Sequence, residues 1–447
     1  MKKFIDTLKN IWSIAELKQK IGYTLLLLFI YRLGSYILLP GINSSNLSNG
    51  APKDNGLLSL FNSFAGGAFD KASILALGIM PYISASIFMQ LVTILVPSFK
   101  KIQMEGESGR KKINQWTRYL TVIVTAAQAF GYIAYIKSLG TVDAPVVFDS
   151  FAPYFTLSTV ILLVAGTLFV MWLGEKITDK GLGNGTSLII MIGILGRLPS
   201  SFAQEFTSRQ GQGVGGILIL ILELVVLIAI IMACIMLVQG VRKVVVNYAR
   251  QIVGNKSVGG ERQYLPLKVN AASVMPIIFA QAILFIPTIF ARFETTSGIS
   301  KIFNDHKDWR YMLVYALVVI IFTFLYTSLI FNPRQMSDDL KRSNGFIPGI
   351  QPGEPTANYI GSVMDRITLP GAVILAFLGI LPGLIELIFQ TKSNFASFFG
   401  GTSLLIMVGV ILDTLQQIET QLMMRKYDGL MSSGRIQGRT DTIQPVL

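Results

Sequence analysis

Long apolar runs, separated by polar connections containing Gly and Pro, recur along the whole chain. They fall at 21–39, 72–96, 118–137, 153–173, 187–205, 215–239, 269–290, 311–331, 367–389 and 402–423. Most are long enough to cross a ~30 Å hydrocarbon core as helices. The fifth is the weakest: its apolar stretch TSLIIMIGILGRL reaches about 20 Å as a helix and stops at Pro199. Residues 57–67, LLSLFNSFAGG, behave differently. They are apolar enough for a membrane but span only about 16 Å as a helix, and Gly66-Gly67 breaks them before Asp70 and Lys71. A half-length element at membrane depth is tolerated only where protein buries it.

The connections fix the direction. With ten spans and the N-terminus inside, inner segments hold 27 Lys and Arg and outer ones 10, leaving Arg32 within a span. The positive-inside rule then puts both ends in the cytoplasm, which needs an even number of spans. Omitting the fifth would place the basic loop 241–268 outside. Within residues 1–20, Phe4, Leu8, Ile11, Trp12 and Ala15 fall at helical spacing among Lys2, Lys9, Lys18 and Lys20. That pattern predicts a basic amphipathic helix on anionic lipids. Residues 424–447 form a cytoplasmic tail.

Five spans lie in 21–205 and five in 206–423, and the first span of each half precedes a long connection, 40–71 or 241–268. An odd number per half makes the halves run in opposite directions, and inverted repeats place a pathway at their interface. The expected fold is an all-α polytopic membrane protein with ten transmembrane helices in two inverted five-helix halves.

Composition agrees with this class. Apolar residues make up 52% of the 447, charged ones 14%, and the mean hydropathy is +0.57; soluble domains carry about 25% charged residues. Cys234 and His306 are the single Cys and His. A disulfide within the chain, a His/Cys metal site and a Ser/His/Asp set are therefore not expected, and no cofactor is called for. GLGNG at 181–185 lacks the Lys and Ser/Thr of a phosphate loop and reads as a turn opening the fifth span. The ionisable residues within spans, Arg32, Glu223, Glu386, Asp413 and Glu419, are not clustered as a proton relay would need. An enzyme is not expected. A secondary solute transporter, which also uses inverted repeats and broken helices, remains an alternative.

Three cytoplasmic loops, 97–117, 241–268 and 332–366, exceed what a turn requires. The second alternates apolar and polar residues around a Gly-rich turn and predicts a protruding β-hairpin. The third, with FIPGIQPGEPT, is stiffened by Pro and Gly. Their basic residues, among them Arg242, Lys243, Arg262, Lys341 and Arg342, suit a soluble partner, including one made of RNA. In the second span small residues permit close helix packing, and Ile79 and Ile83 share a helical face. Thr186 and Ile190 repeat that spacing in the fifth span, and Ile278 follows Pro276 in the seventh.

LALGIMPYISAS, EGESGRKK, MWLGE, GLGNG, VNYAR, LPLKVN, FNPR, PGIQPGE and FGGTSLLI occur in that order across nearly the whole chain. Together they resemble the SecY family, whose members form the central subunit of the bacterial protein-conducting channel. The resemblance implies a clamshell around a central pore closed by a ring of aliphatic side chains. Here the ring positions fall on Ile79, Ile83, Thr186, Ile190, Ile278 and Ile406. It makes 57–67 a half-helix plug, with Leu57, Leu58, Leu60, Phe61 and Phe64 as its apolar residues and Gly66 and Gly67 as its hinge. Gln90, Gln128 and Asn270 match polar positions of a lateral gate, and Arg250 a docking position at the hairpin tip. Implied partners are the membrane subunits SecE and SecG, the SecA motor, a translating ribosome, unfolded client polypeptides and their signal sequences. The implied location is the bacterial cytoplasmic membrane. Two positions depart from the family pattern: Thr186 where the ring is aliphatic, which predicts a slightly wetter seal, and Gln351 where PGIRPGE carries Arg.

Overall fold

A computed structural model of the chain describes residues 14–43, 62, 65–139, 146–148, 152–211, 213–248, 251–253, 256–258, 262–272, 274–281, 308–391 and 393–432. Among them, seven helices are long and apolar enough to cross a membrane, or eight with a bent pair taken as one span.

Helix α1 (Ala15–Gly34) begins before the expected first span and ends five residues short of Leu39. The chain turns at Ser35 and becomes extended before Pro40, because the residue preceding a proline is steered out of the helical region. This extended piece bonds to the chain that follows the second break: Leu39 N–H donates to Ala72 O at 2.9 Å and Ile74 N–H to Ile37 O at 2.9 Å. The expected second span, 72–96, is therefore only partly helical. Residues 65–79 run as successive turns, and helix α2 (Met80–Leu95) starts only with Pro81 in its first turn. Positive φ at Gly66 (+65°), Gly67 (+86°) and Gly78 (+54°) explains why the turns form there. Helix α3 (Pro97–Met104) follows, bent from α2 by 103°.

Helices α4 (Glu107–Leu139), α5 (Ala152–Lys180), α6 (Gly185–Gln210) and α7 (Val214–Gln239) supply the third to sixth spans. Pro199 does not end α6, which continues for three more turns. The GLGNG turn is held from both sides: Leu182 N–H donates to Thr24 Oγ1 at 3.0 Å and Gly183 N–H to Gln417 Oε1 at 2.9 Å. A Cβ at Gly185 would lie 2.0 Å from Gly174 O, so glycine lets α6 start against α5. Cys234 is fully buried in apolar surroundings.

The predicted hairpin is present. Strands β1 (Val241–Tyr248) and β4 (Arg262–Lys268) pair antiparallel from Val241↔Lys268 to Asn247↔Arg262, and β2 (Gln251–Val253) pairs with β3 (Lys256–Val258) beyond them. Of the seventh span only a short helix at 275–281 lies within the described residues. Helix α8 (Trp309–Ile330) and short α9 (Pro333–Arg342) lead to β5 (Gly345–Phe346), which adds to the free edge of β1. Helix α10 (Glu354–Phe389) is 36 residues, about 54 Å, and so projects well beyond the bilayer. Helix α11 (Gly401–Ser432) runs nine residues into the expected tail.

Two apolar clusters fill the membrane portion. One joins α1, α2, α5, α6, α7, α8, α10 and α11; the other seats Ala65, Ala68, Phe69, Ala72 and Ala76 against Ala129, Tyr132 and Ile133 of α4 and Phe155 and Leu163 of α5. A third cluster lies among the strands and loops between the long helices. Val244, Val246 and Leu267 of the hairpin pack on Leu340, Ile347, Ile360 and Met364. The second and third long loops thus form one folded unit on the first turns of α10. Opposed to these helix-lined interiors, α1 and α7 expose Leu25, Leu26, Phe29, Leu218, Ile221 and Val225, the apolar surface that lipid or a membrane partner covers.

Candidate functional site

The aliphatic residues marked in the sequence come from elements far apart in the chain. Ile79 caps α2 and Ile83 lies one turn on, with Ile83 N–H donating to Ile79 O at 3.1 Å. Ile190 is on α6, Ile278 on the 275–281 helix and Ile406 on α11. Ile79, Ile83, Ile190 and Ile406 are buried in one cluster, and Ile278 packs against it. Thr186 lies one turn before Ile190 on the same helix. It is half-buried in the first turn of α6, and a Cβ placed on Gly174 would lie 3.4 Å from its hydroxyl oxygen, so the hydroxyl faces α5. These isoleucines are apolar and β-branched, hence stiff, and they carry no charge.

Beside it lies the end of the re-entrant segment. Leu57, Leu58, Leu60, Phe61 and Phe64 lie outside the described residues; Gly66 is buried and Gly67 half-buried. Arg32 Nη1 donates to Gly66 O at 2.7 Å, and Gly67 N–H donates to Asn62 O at 2.9 Å. Asn62 is buried; its amide bonds Asp70 Oδ2, and its carbonyl accepts from Asp70 N–H at 3.3 Å. Tyr132 of α4 donates to Phe69 O at 2.7 Å. These bonds pair Gly66 O, Gly67 N–H, Phe69 O and Asp70 N–H within an irregular stretch of chain.

On the opposite side, Gln90 of α2 accepts a hydrogen bond from Tyr326 of α8 at 3.1 Å. Phe279 packs on Tyr326 and stacks on Phe322, with centroids 5.9 and 5.7 Å apart. Two elements from different halves are thereby joined through one polar contact and aromatic packing. The family resemblance marked Gln90 but not Tyr326, and a tyrosine in an apolar run carries no pairing signal of its own. Gln128 is half-buried on α4, and Asn270 carries a buried Oδ1 without a hydrogen-bond partner. The structure does not bring these two onto the Gln90 contact.

On the unit formed by the second and third long loops, Arg242, Lys243, Arg262, Lys341 and Arg342 are all exposed; Arg250 lies outside the described residues. Gln351 is exposed too, and the loop around it is fixed by its backbone. Thr356 Oγ1 donates to Gln351 O at 2.7 Å, and Ser337 Oγ to Gly353 O at 2.6 Å. A further cluster was overlooked because its members lie on different helices. Arg209 of α6 meets Glu205 at 2.8 Å, Glu223 of α7 at 2.6 Å and Phe389 O at 2.6 Å, while Thr391 Oγ1 donates to Glu223 at 2.9 Å. All three charged groups are buried. Glu223, counted alone in the sequence, is therefore paired.

Comparison with known proteins adds the lineage. A family model described as SecY matches residues 73–415. The chain is 40% identical over 436 residues to the protein translocase subunit SecY of Vibrio cholerae, covering 95% of this chain and 96% of the relative. It is equally similar, over 433 residues, to the protein of that name from Escherichia coli K12, with the same coverage. Among solved structures, one titled as a protein-conducting channel aligns over 90% of this chain and 92% of its own with a TM-score of 0.62 at 16% identity. Sec61 in a canine ribosome-channel complex aligns over the same shares with a TM-score of 0.59 at 16% identity. The structural likenesses show a shared fold, and the family match spans Ile79 to Ile406, the break at 78–80 and the unit built from the second and third long loops: the chain belongs to the SecY family.

Proposed function

We propose that the chain is the polypeptide-conducting subunit of a protein translocation channel. The observation that carries this reading is the convergence of Ile79, Ile83, Ile190, Ile278 and Ile406, from both halves, on one apolar cluster. An aliphatic ring can part around an extended chain of any sequence and close behind it, because it makes no specific bond to the client. Its stiffness and dryness oppose ion passage at rest. The segment 57–67 acts as a plug on the outer side of this ring. The Gln90–Tyr326 contact belongs to a gate between α2 and α8, through which an apolar client segment reaches lipid. A single interhelical hydrogen bond is worth about 0.6–1.7 kcal/mol in a membrane, weak enough for a gate that must open.

The subunit is passive, so energy comes from partners. SecE and SecG are its membrane partners in this reading, and the SecA motor or a translating ribosome docks on the unit built from the second and third cytoplasmic loops. Exposed Arg242, Lys243, Arg262, Lys341 and Arg342 suit an anionic surface such as ribosomal RNA, held through backbone phosphate without sequence readout. Both termini are cytoplasmic, and the membrane is the bacterial inner membrane. Nothing among the relatives favours the solute-transporter alternative. The test is reconstitution in vesicles with a purified motor, ATP and an unfolded secretory precursor. The precursor should become protected from added protease; protection equal in vesicles lacking the chain would refute the proposal.

A further inference from the structure

Arg32 is the basic residue that sits within a span, and nothing in the proposed mechanism uses it. It occupies the last turn of α1, where a cation is favoured by the helix dipole. The dipole does not explain where its guanidinium goes. Instead of reaching toward water, Nη1 donates to Gly66 O at 2.7 Å and Nη2 to Gly196 O of α6 at 3.2 Å. Tyr36 flanks it, with the guanidinium carbon 5.3 Å from the ring centroid and Nη2 3.5 Å from the hydroxyl. Among the described residues no carboxylate forms an ion pair with it. The space is shaped for this contact. A Cβ at Gly196 would lie 2.7 Å from the guanidinium carbon, and one at Gly66 would lie 2.8 Å from Nη1 and 2.9 Å from Gly193 Cα. Two glycines on separate elements thus admit one planar, permanently charged fork.

We propose that Arg32 is the positioning residue of the plug: it clamps Gly66, at the end of the 57–67 segment, to α1 and α6. This rests on the plug reading above. The clamp is reversible because both acceptors are backbone carbonyls, which a displaced Gly66 leaves without creating an unpaired carboxylate. Gly66 and Gly67 hold positive φ, so the chain can rotate there without the strain other residues would meet.

The experiment measures resting potassium and chloride conductance of the purified full channel complex in planar bilayers. Four forms are compared: wild type, Arg32→Gln, deletion of 57–67, and both changes together. Loss of a charge-assisted hydrogen bond should raise the leak of Arg32→Gln on the order of tenfold. In the deletion background Arg32→Gln should add nothing. Arg32→Lys, a point donor able to hold one carbonyl, should leak less than Arg32→Gln. Gly66→Ala, which pushes the clamp apart while keeping the arginine, should leak like Arg32→Gln and serves if that variant fails to fold. A leaking deletion with a silent Arg32→Gln would overturn the clamp and leave the plug reading standing. A silent deletion with a leaking Arg32→Gln would overturn both. An equal rise from Arg32→Gln with and without 57–67 would show that Arg32 acts through helix packing alone.

Discussion

Removing the phenolic hydroxyl of Tyr326 isolates the polar contact between α2 and α8. In Tyr326→Phe the 3.1 Å hydrogen bond to Gln90 disappears, while the ring contact with Phe279 at 5.9 Å is kept. Tyr326 is buried and Gln90 exposed, so the freed Gln90 carbonyl can turn outward and avoid most of the cost of an unpaired group. The net loss is then about 0.6 kcal/mol, with about 1.7 kcal/mol as the ceiling for such bonds in membranes. The closed-to-open ratio of the gate should fall about threefold, and at most about twentyfold. A gate biased this way should accept precursors whose signal sequences are too weakly apolar to open it unaided. Transport of a normal precursor should change little. The assay is transport of paired precursors with strong and weakened signals in cells carrying Tyr326→Phe, Gln90→Ala or both. The two changes remove the same bond, so the double variant should match the stronger single one. Additive effects, or a loss of weak-signal transport in Tyr326→Phe, would refute the argument.

Other outcomes follow from the same geometry. Arg209→Met leaves Glu205 and Glu223 buried without their cation and should destabilise the protein by about 3–5 kcal/mol, read as a lowered unfolding midpoint in detergent. Replacing both glutamates by Gln in the same variant should recover much of that loss. Thr186→Ile, next to Gly174, should lower the resting ion leak if the hydroxyl wets the seal, and unchanged conductance would remove that idea. Exchanging Arg242 and Lys243 for Glu should weaken sedimentation with ribosomes most at low salt, because exposed charges act through screened electrostatics, and should leave the helical content unchanged.

The spans were legible because burial in lipid demands continuous apolar runs. Segment ends were less so. The apolar run to Leu39 hid the end of α1 at Gly34, although Pro40 was a signal for it. The run from Ala72 concealed eight non-helical residues before α2, for which Gly78 and Pro81 were the marks. The start of α10 at Glu354 could have been read from Gly353, Glu354 and Pro355, a helix-opening pattern obscured by the polar residues after it. The hairpin emerged from its alternation, but the addition of β5 and the shared core of Val244, Leu340 and Ile360 depend on contacts a hundred residues apart. For the same reason Tyr326, Arg209 and the role of Arg32 stayed hidden. Each is an ordinary residue in its own segment and becomes distinctive only against a neighbour.

The central claim is that a client passes through the cluster of Ile79, Ile83, Ile190, Ile278 and Ile406. A photoreactive amino acid placed at position 83 or 278, and at lipid-facing 218 or 221 as comparison, tests it with a secretory chain stalled during transport. Crosslinks from 83 and 278 to the stalled chain, with none from 218 or 221, are the predicted result. Capture only from the lipid-facing positions would contradict the account.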